Sequence, residues 1–192
     1  MVKLINPDAA VKWIWIVFGS FWLLAAFTQK RSVRRQSIDS RLLQMSVVLL
    51  ALAPFYIAGR RFGILREHFL PKTADIQYIG LLLMLIGLGF AVWARFTLGR
   101  NWSGMVTVKE NHVLITHGPY AWVRHPIYTG ILLALLGTAI VGGIFASLVA
   151  VAVATLALWL KLRTEEKFMT ETFGEQYTAY RQRVKALIPH VI

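Results

Sequence analysis

From Ile127 to Leu160 the chain runs for thirty-four residues without a charged side chain. As one helix, that run would reach about 51 Å at 1.5 Å per residue, well beyond a hydrocarbon core of about 30 Å. Gly142-Gly143 sits near its middle, where a turn is wanted. The run therefore reads as a helical hairpin with arms Ile127–Val141 and Ile144–Leu160. Arms of roughly 22 and 26 Å are short and imply local thinning or a partly buried position. Ala146, Ala150 and Ala154 place small residues on one face of the second arm, suited to packing against the first. A hairpin returns the chain to its starting side, so the segments flanking it emerge together.

The rest of the chain agrees with a membrane setting. Its 192 residues are 57% hydrophobic and 16% charged, against about 45–50% and about 25% in an ordinary soluble domain. Mean hydropathy is +0.57. That balance disfavours a soluble globular enzyme and excludes a disordered chain. Cysteine is absent, which removes disulfides, thiolate nucleophiles and zinc knuckles. Three further apolar blocks are Trp13–Phe27, Leu42–Ala58 (carrying Pro54) and Ile76–Ala94. In the last, Gly80, Gly87 and Gly89 would allow close helix contact. A signal peptide in the first block is disfavoured, because no small-x-small cleavage site precedes the basic cluster Lys30, Arg31, Arg34, Arg35.

Five segments put the first loop, the long loop Arg95–His125 and the tail on one side. That side carries fifteen Lys and Arg against six on the other, so it is expected to be cytoplasmic. The formal charge of +12 falls between the apolar blocks rather than on one face, which favours anionic membrane lipid over nucleic acid as its counterpart. The expected fold class is all-α. It is a polytopic integral membrane helical bundle of about five transmembrane segments, with a C-terminal helical hairpin and a small cytoplasmic cap, and residues 1–192 form a single membrane domain. The expected location is the cell membrane, multi-pass.

Chemistry-bearing residues gather at the two ends of the hairpin. Arg124-His125-Pro126 leads straight into its first arm, and Pro126 suits a first helical turn because its missing N–H is not needed there. Such a helix start, with two cationic side chains beside it, is a seat for an anionic or carboxylate-bearing ligand. The competing reading is surface anchoring by Arg, His and Tyr. After the second arm come Lys161, Arg163, Glu165, Glu166 and Lys167. Adjacent carboxylates point about 100° apart on a helix, so one is expected to face inward and the other a neighbour or water. An inward carboxylate could hold ribose hydroxyls or balance a cationic ligand. Beyond Gly174, Tyr177, Tyr180, Val184, Leu187 and Ile188 recur at helical spacing, which predicts an amphipathic helix on the cap or the membrane surface. His112, His117 and His125 fit no compact metal motif, and Val92 stands where a dinucleotide turn would need its third glycine.

Taken together, His112, Leu114, His117-Gly118-Pro119-Tyr120, Arg124-His125-Pro126, Tyr128 and Gly130, followed by the hairpin, then Glu165-Glu166, Phe173-Gly174, Tyr177 and Tyr180, resemble the isoprenylcysteine carboxyl methyltransferase family. Phospholipid N-methyltransferases share much of this pattern. The likeness covers Phe96 to Pro189; the first three spans match only as generic membrane helices. It implies a membrane enzyme using S-adenosylmethionine, with a catalytic region over 95–192 and a cytoplasmic pocket between the last two spans and the cap. The resemblance places His112, Leu114, Gly118, Tyr120, His125, Pro126 and Tyr128 around the cofactor. Glu165 and Glu166 would hold or close over it, and Arg124 or a tail arginine would orient an acceptor carboxylate. The implied partners are membrane lipids and a lipid-like or prenylated acceptor. With an amine acceptor, Glu166 would be the base that takes the proton. A sterol-type membrane reductase binding NADPH and a non-catalytic scaffold are the remaining alternatives.

Overall fold

A computed structural model describes residues 6–26, 32–35, 63–99, 107–109, 114–189 and 191. Helix α1 (Pro7–Ala26) starts where the Asn6 side chain accepts the backbone N–H of Asp8 at 3.0 Å, an N-cap followed by proline. A short turn of helix, α2 (Gly63–Arg66), precedes α3 (Ala74–Leu98). After the 3₁₀ turn Gly118–Ala121 come α4 (Pro126–Gly142), α5 (Phe145–Phe173) and α6 (Glu175–Arg183). The apolar blocks expected at Trp13–Phe27 and Ile76–Ala94 correspond to α1 and α3; the block Leu42–Ala58 lies outside the described residues. Among the described residues, three helices are long and apolar enough to cross a membrane, and α4 is a shorter apolar one. Their lipid-facing surfaces are apolar: Trp13, Val17, Leu82, Ile86 and Leu156 are all exposed. The chain is a polytopic membrane bundle.

The described residues also hold one element the all-helical expectation lacks. β1 (Ser32–Arg35) pairs antiparallel with β2 (Thr107–Lys109), Ser32 opposite Lys109 and Arg35 opposite Thr107. β-Branched residues in the long loop favour that local extension, and the ribbon ties the first loop to the long loop. Arg95 adds a second tie, donating from Nη2 to the Ala25 carbonyl at the end of α1 at 2.6 Å.

The hairpin turns where the sequence predicts. Gly143 adopts φ +65°, and its N–H donates to the Ala139 carbonyl at 2.8 Å, a left-handed helix stop that glycine adopts without strain. Phe69 donates to Gly143 and Phe145 to Glu67, pinning the turn from outside. Helix α5 then runs thirteen residues past Leu160, to Phe173. That extension carries both glutamates back over the start of α4. Ala146 and Ala150 of the predicted small-residue stripe are buried and Ala154 half-buried.

The most intimate helix pair is α3–α4. A Cβ on Gly87 would lie 2.5 Å from the Gly130 carbonyl oxygen, and one on Gly137 would lie 2.5 Å from that of Gly80. Two glycines per helix, seven residues apart, therefore let the backbones touch. Lipid tails supply no hydrophobic drive between helices, so close packing of this kind takes its place. Gly89, expected to share this role, faces open space instead. It lies off the contact face because two residues rotate a helix by about 200°.

Candidate active site

The start of α4 is held by the tail. Arg124 and His125 precede the helix, so their N–H groups have no helical acceptors. They donate to the carbonyls of Lys185 and Ala186 at 2.8 and 3.0 Å, and Thr129 Oγ1 donates to Leu187 at 2.7 Å. Val123 and Lys185 bridge in parallel. This pairing corrects the helical expectation for the tail: α6 buries Tyr177 and Tyr180 but stops at Arg183, and Val184 is extended. The free N–H donors at the helix entrance outcompete one more helical turn. Tyr180 completes the clamp by donating its hydroxyl to the buried Tyr120 carbonyl at 2.6 Å.

Against this clamp stand the two glutamates of α5. Arg124 meets Glu166 Oε1 through Nε at 2.7 Å and Nη2 at 2.5 Å, both side chains about nine-tenths buried. Its Nη1 donates to the carbonyls of Arg181 and Val184. The His125 ring lies between the carboxylates, Nδ1 3.5 Å from Glu165 Oε2 and Nε2 3.4 Å from Glu166 Oε1. Tyr128 stacks on it, ring centroids 5.5 Å apart, and donates to Glu165 Oε1 at 2.5 Å. Both carboxylates therefore face inward, contrary to the one-in, one-out expectation. The two opposed nitrogens of one imidazole span the 100° between them. Arg124 and His125 likewise differ from the expected seat for an anion, since both are already partnered by carboxylates.

Most of the residues singled out in the sequence come together here. Pro126 and Tyr120 are buried, Leu114 is half-buried, and Gly118 takes φ +60° beside Thr97; His112 lies outside the described residues. Two further participants carry no individual role in the sequence reading. Arg181 Nε reaches Glu166 Oε2 at 3.5 Å, and Lys161 lies 5.5 Å above the Tyr128 ring. Lys161 sits four residues before Glu165, so helical spacing could have flagged it; nothing in the sequence separates Arg181 from its neighbours.

Burial would push the His125 imidazole below its ordinary value near 6.5, but hydrogen bonding and attraction to Glu165 and Glu166 outweigh it, and the net direction is up. Burial raises the Tyr120, Tyr177 and Tyr180 phenols, so all three stay neutral donors. A group raised on folding stabilises the fold fully below its unfolded value and loses that contribution as pH climbs through the folded one. The melting temperature should therefore fall as pH rises above about 6.5. His125→Gln should flatten that slope, and an unchanged slope in the variant would place its origin elsewhere.

The arrangement combines a buried and a half-buried carboxylate with spare lone pairs, a stacked aromatic pair and a ring of cations, next to a membrane exit. Comparisons with known proteins agree with it. Residues 76–176 match the phospholipid methyltransferase family model. A probable protein-S-isoprenylcysteine O-methyltransferase of Oryza sativa subsp. indica is 28% identical over 92% of both chains. Protein-S-isoprenylcysteine O-methyltransferase A of Arabidopsis thaliana is 30% identical, over 75% of this chain and 72% of its own. In three dimensions, the eukaryotic intramembrane Ras methyltransferase (isoprenylcysteine carboxyl methyltransferase) superposes with a TM-score of 0.60 at 24% identity, covering 98% of this chain and 70% of that one. The bundle, the doubled-back hairpin and these relatives lead to one assignment: the chain belongs to the isoprenylcysteine carboxyl methyltransferase family and is a membrane methyltransferase.

Proposed function

We propose that the protein transfers a methyl group from S-adenosylmethionine to the carboxylate of a lipophilic, isoprenylcysteine-like acceptor, with the catalytic face cytoplasmic in the cell membrane and the chemistry confined to residues 95–192. The observation that carries this reading is the meeting of Arg124-His125-Tyr128 with Glu165-Glu166 at the mouth of the hairpin. The cofactor fits the donor set found there. Glu165, about one-fifth exposed, keeps acceptor capacity beyond its bonds to Tyr128 and His125, enough for ribose hydroxyls or an ammonium. Leu114, Gly118, Tyr120, Pro126 and His112 would complete its surroundings. When bound, the cofactor supplies an electrophilic methyl on a sulfonium.

The chain's own part is positioning and exclusion of water. A carboxylate acceptor is already a nucleophile and needs orientation and desolvation rather than a base. Arg124 or Arg181, both at Glu166, would orient it. The match to the phospholipid methyltransferase model favours a second reading, methylation of a lipid amine, with Glu166 as base. The geometry weighs against it: a carboxylate clasped by two guanidiniums holds its charge and is a poor proton acceptor. With labelled S-adenosylmethionine and a farnesylcysteine analogue, the product should be a base-labile ester that releases methanol. Label stable to base and found on a phospholipid amine would replace the first reading with the second.

A further inference from the structure

A cavity of about 690 Å³ opens between α5 and α6. Arg124 and Glu166 reach it, but Tyr120, Tyr128 and Glu165 do not line it, so it lies on the Glu166 side of His125. Trp159 and Leu162 line it at the level where the apolar run of α5 ends, and Arg163, Lys167, Arg181 and Lys185 line it beyond that level. Among the described lining residues Glu166 is the sole carboxylate, and it is engaged by Arg124 and Arg181. Arg163 lies 5.2 Å from the Trp159 ring, and neither it nor Lys167 nor Lys185 joins an ion pair among the described residues.

We propose that this cavity binds the headgroup of a net-anionic phospholipid from the leaflet in which α5 ends. Three cations that pair with no described carboxylate around one space repel each other, and an anion placed among them relieves that repulsion. Basic pockets between membrane helices at this depth take anionic headgroups. The apolar lining selects between sources of phosphate. Trp159, Leu162 and Ala186 match the glycerol and first acyl carbons of a lipid and offer nothing to a free phosphate ion. A zwitterionic headgroup would bring its ammonium against the cations that attract its phosphate, so net charge decides. The inference is independent of the methyl-transfer reading, because its readout is lipid binding.

The full chain, purified in neutral detergent, should retain phosphatidylglycerol in native mass spectrometry and shed phosphatidylcholine. That selectivity is measured on the unsubstituted protein, so it does not depend on any variant folding. Arg163→Gln with Lys167→Gln should weaken phosphatidylglycerol binding by about thirty-fold, and the charge-preserving pair Arg163→Lys with Lys167→Arg should restore it. Equal retention of the two lipids, or undiminished binding by the Gln pair, would overturn the proposal. Displacement of phosphatidylglycerol by millimolar inorganic phosphate would also overturn it, since the site would then be one for free anions.

Discussion

Glu166→Ala should lower the stability of the folded chain by about 3–5 kcal/mol, the cost of leaving a buried guanidinium without its carboxylate. Arg124 cannot relax into water to escape that cost. Its backbone N–H is fixed to Lys185 and its Nη1 to the carbonyls of Arg181 and Val184, so the charge stays where it is. Arg124→Ala should cost a similar amount, because Glu166 is then left to the weaker contacts at 3.4 Å from His125 and 3.5 Å from Arg181. The pair Arg124→Met with Glu166→Leu separates stability from function. Removing both charges spares the desolvation of either, so the double variant should melt within a few degrees of the original. It should nevertheless slow methyl transfer sharply, since only the half-exposed Arg181 would be left to orient an acceptor carboxylate. Thermal unfolding in detergent together with a labelled-cofactor assay checks both halves. A double variant that stays active would remove this ion pair from the mechanism.

The same residues show what a sequence can disclose and what it withholds. The hairpin was legible because an uncharged run too long for one crossing leaves few alternatives, and a glycine pair marks the reversal. The gathering of Arg124, His125 and Tyr128 opposite Glu165-Glu166 follows from that topology. The tail departs from its helical rhythm for a tertiary reason. Val184, Leu187 and Ile188 continue the helical rhythm of Tyr177 and Tyr180, and only the unpaired N–H groups of Arg124 and His125, sixty residues earlier, make an extended tail preferable. Helix geometry alone turns one glutamate outward, and the sequence does not show that a single partner can hold both. An imidazole between them has two nitrogens and can face both.

Gly130→Ala carries the second large effect. Its added Cβ would sit 2.4 Å from the Gly87 carbonyl oxygen and 2.9 Å from the Ala91 Cβ, and backbone atoms on a packed helix cannot turn aside as a long side chain can. Helices α3 and α4 must separate locally, which costs about 2–3 kcal/mol in overpacking. The consequence reaches the site, because Gly130 lies two residues from Tyr128 and about one and a half turns from His125. A shift there moves the imidazole off one of the two carboxylates it bridges. Activity should therefore fall further than stability alone explains, even below the melting transition. Gly89→Ala is the matched control: its Cβ meets nothing within 4 Å, and alanine is the better helix former, so stability and turnover should hold or rise slightly. If the two substitutions behaved alike, the α3–α4 contact would not be what sets the position of the site.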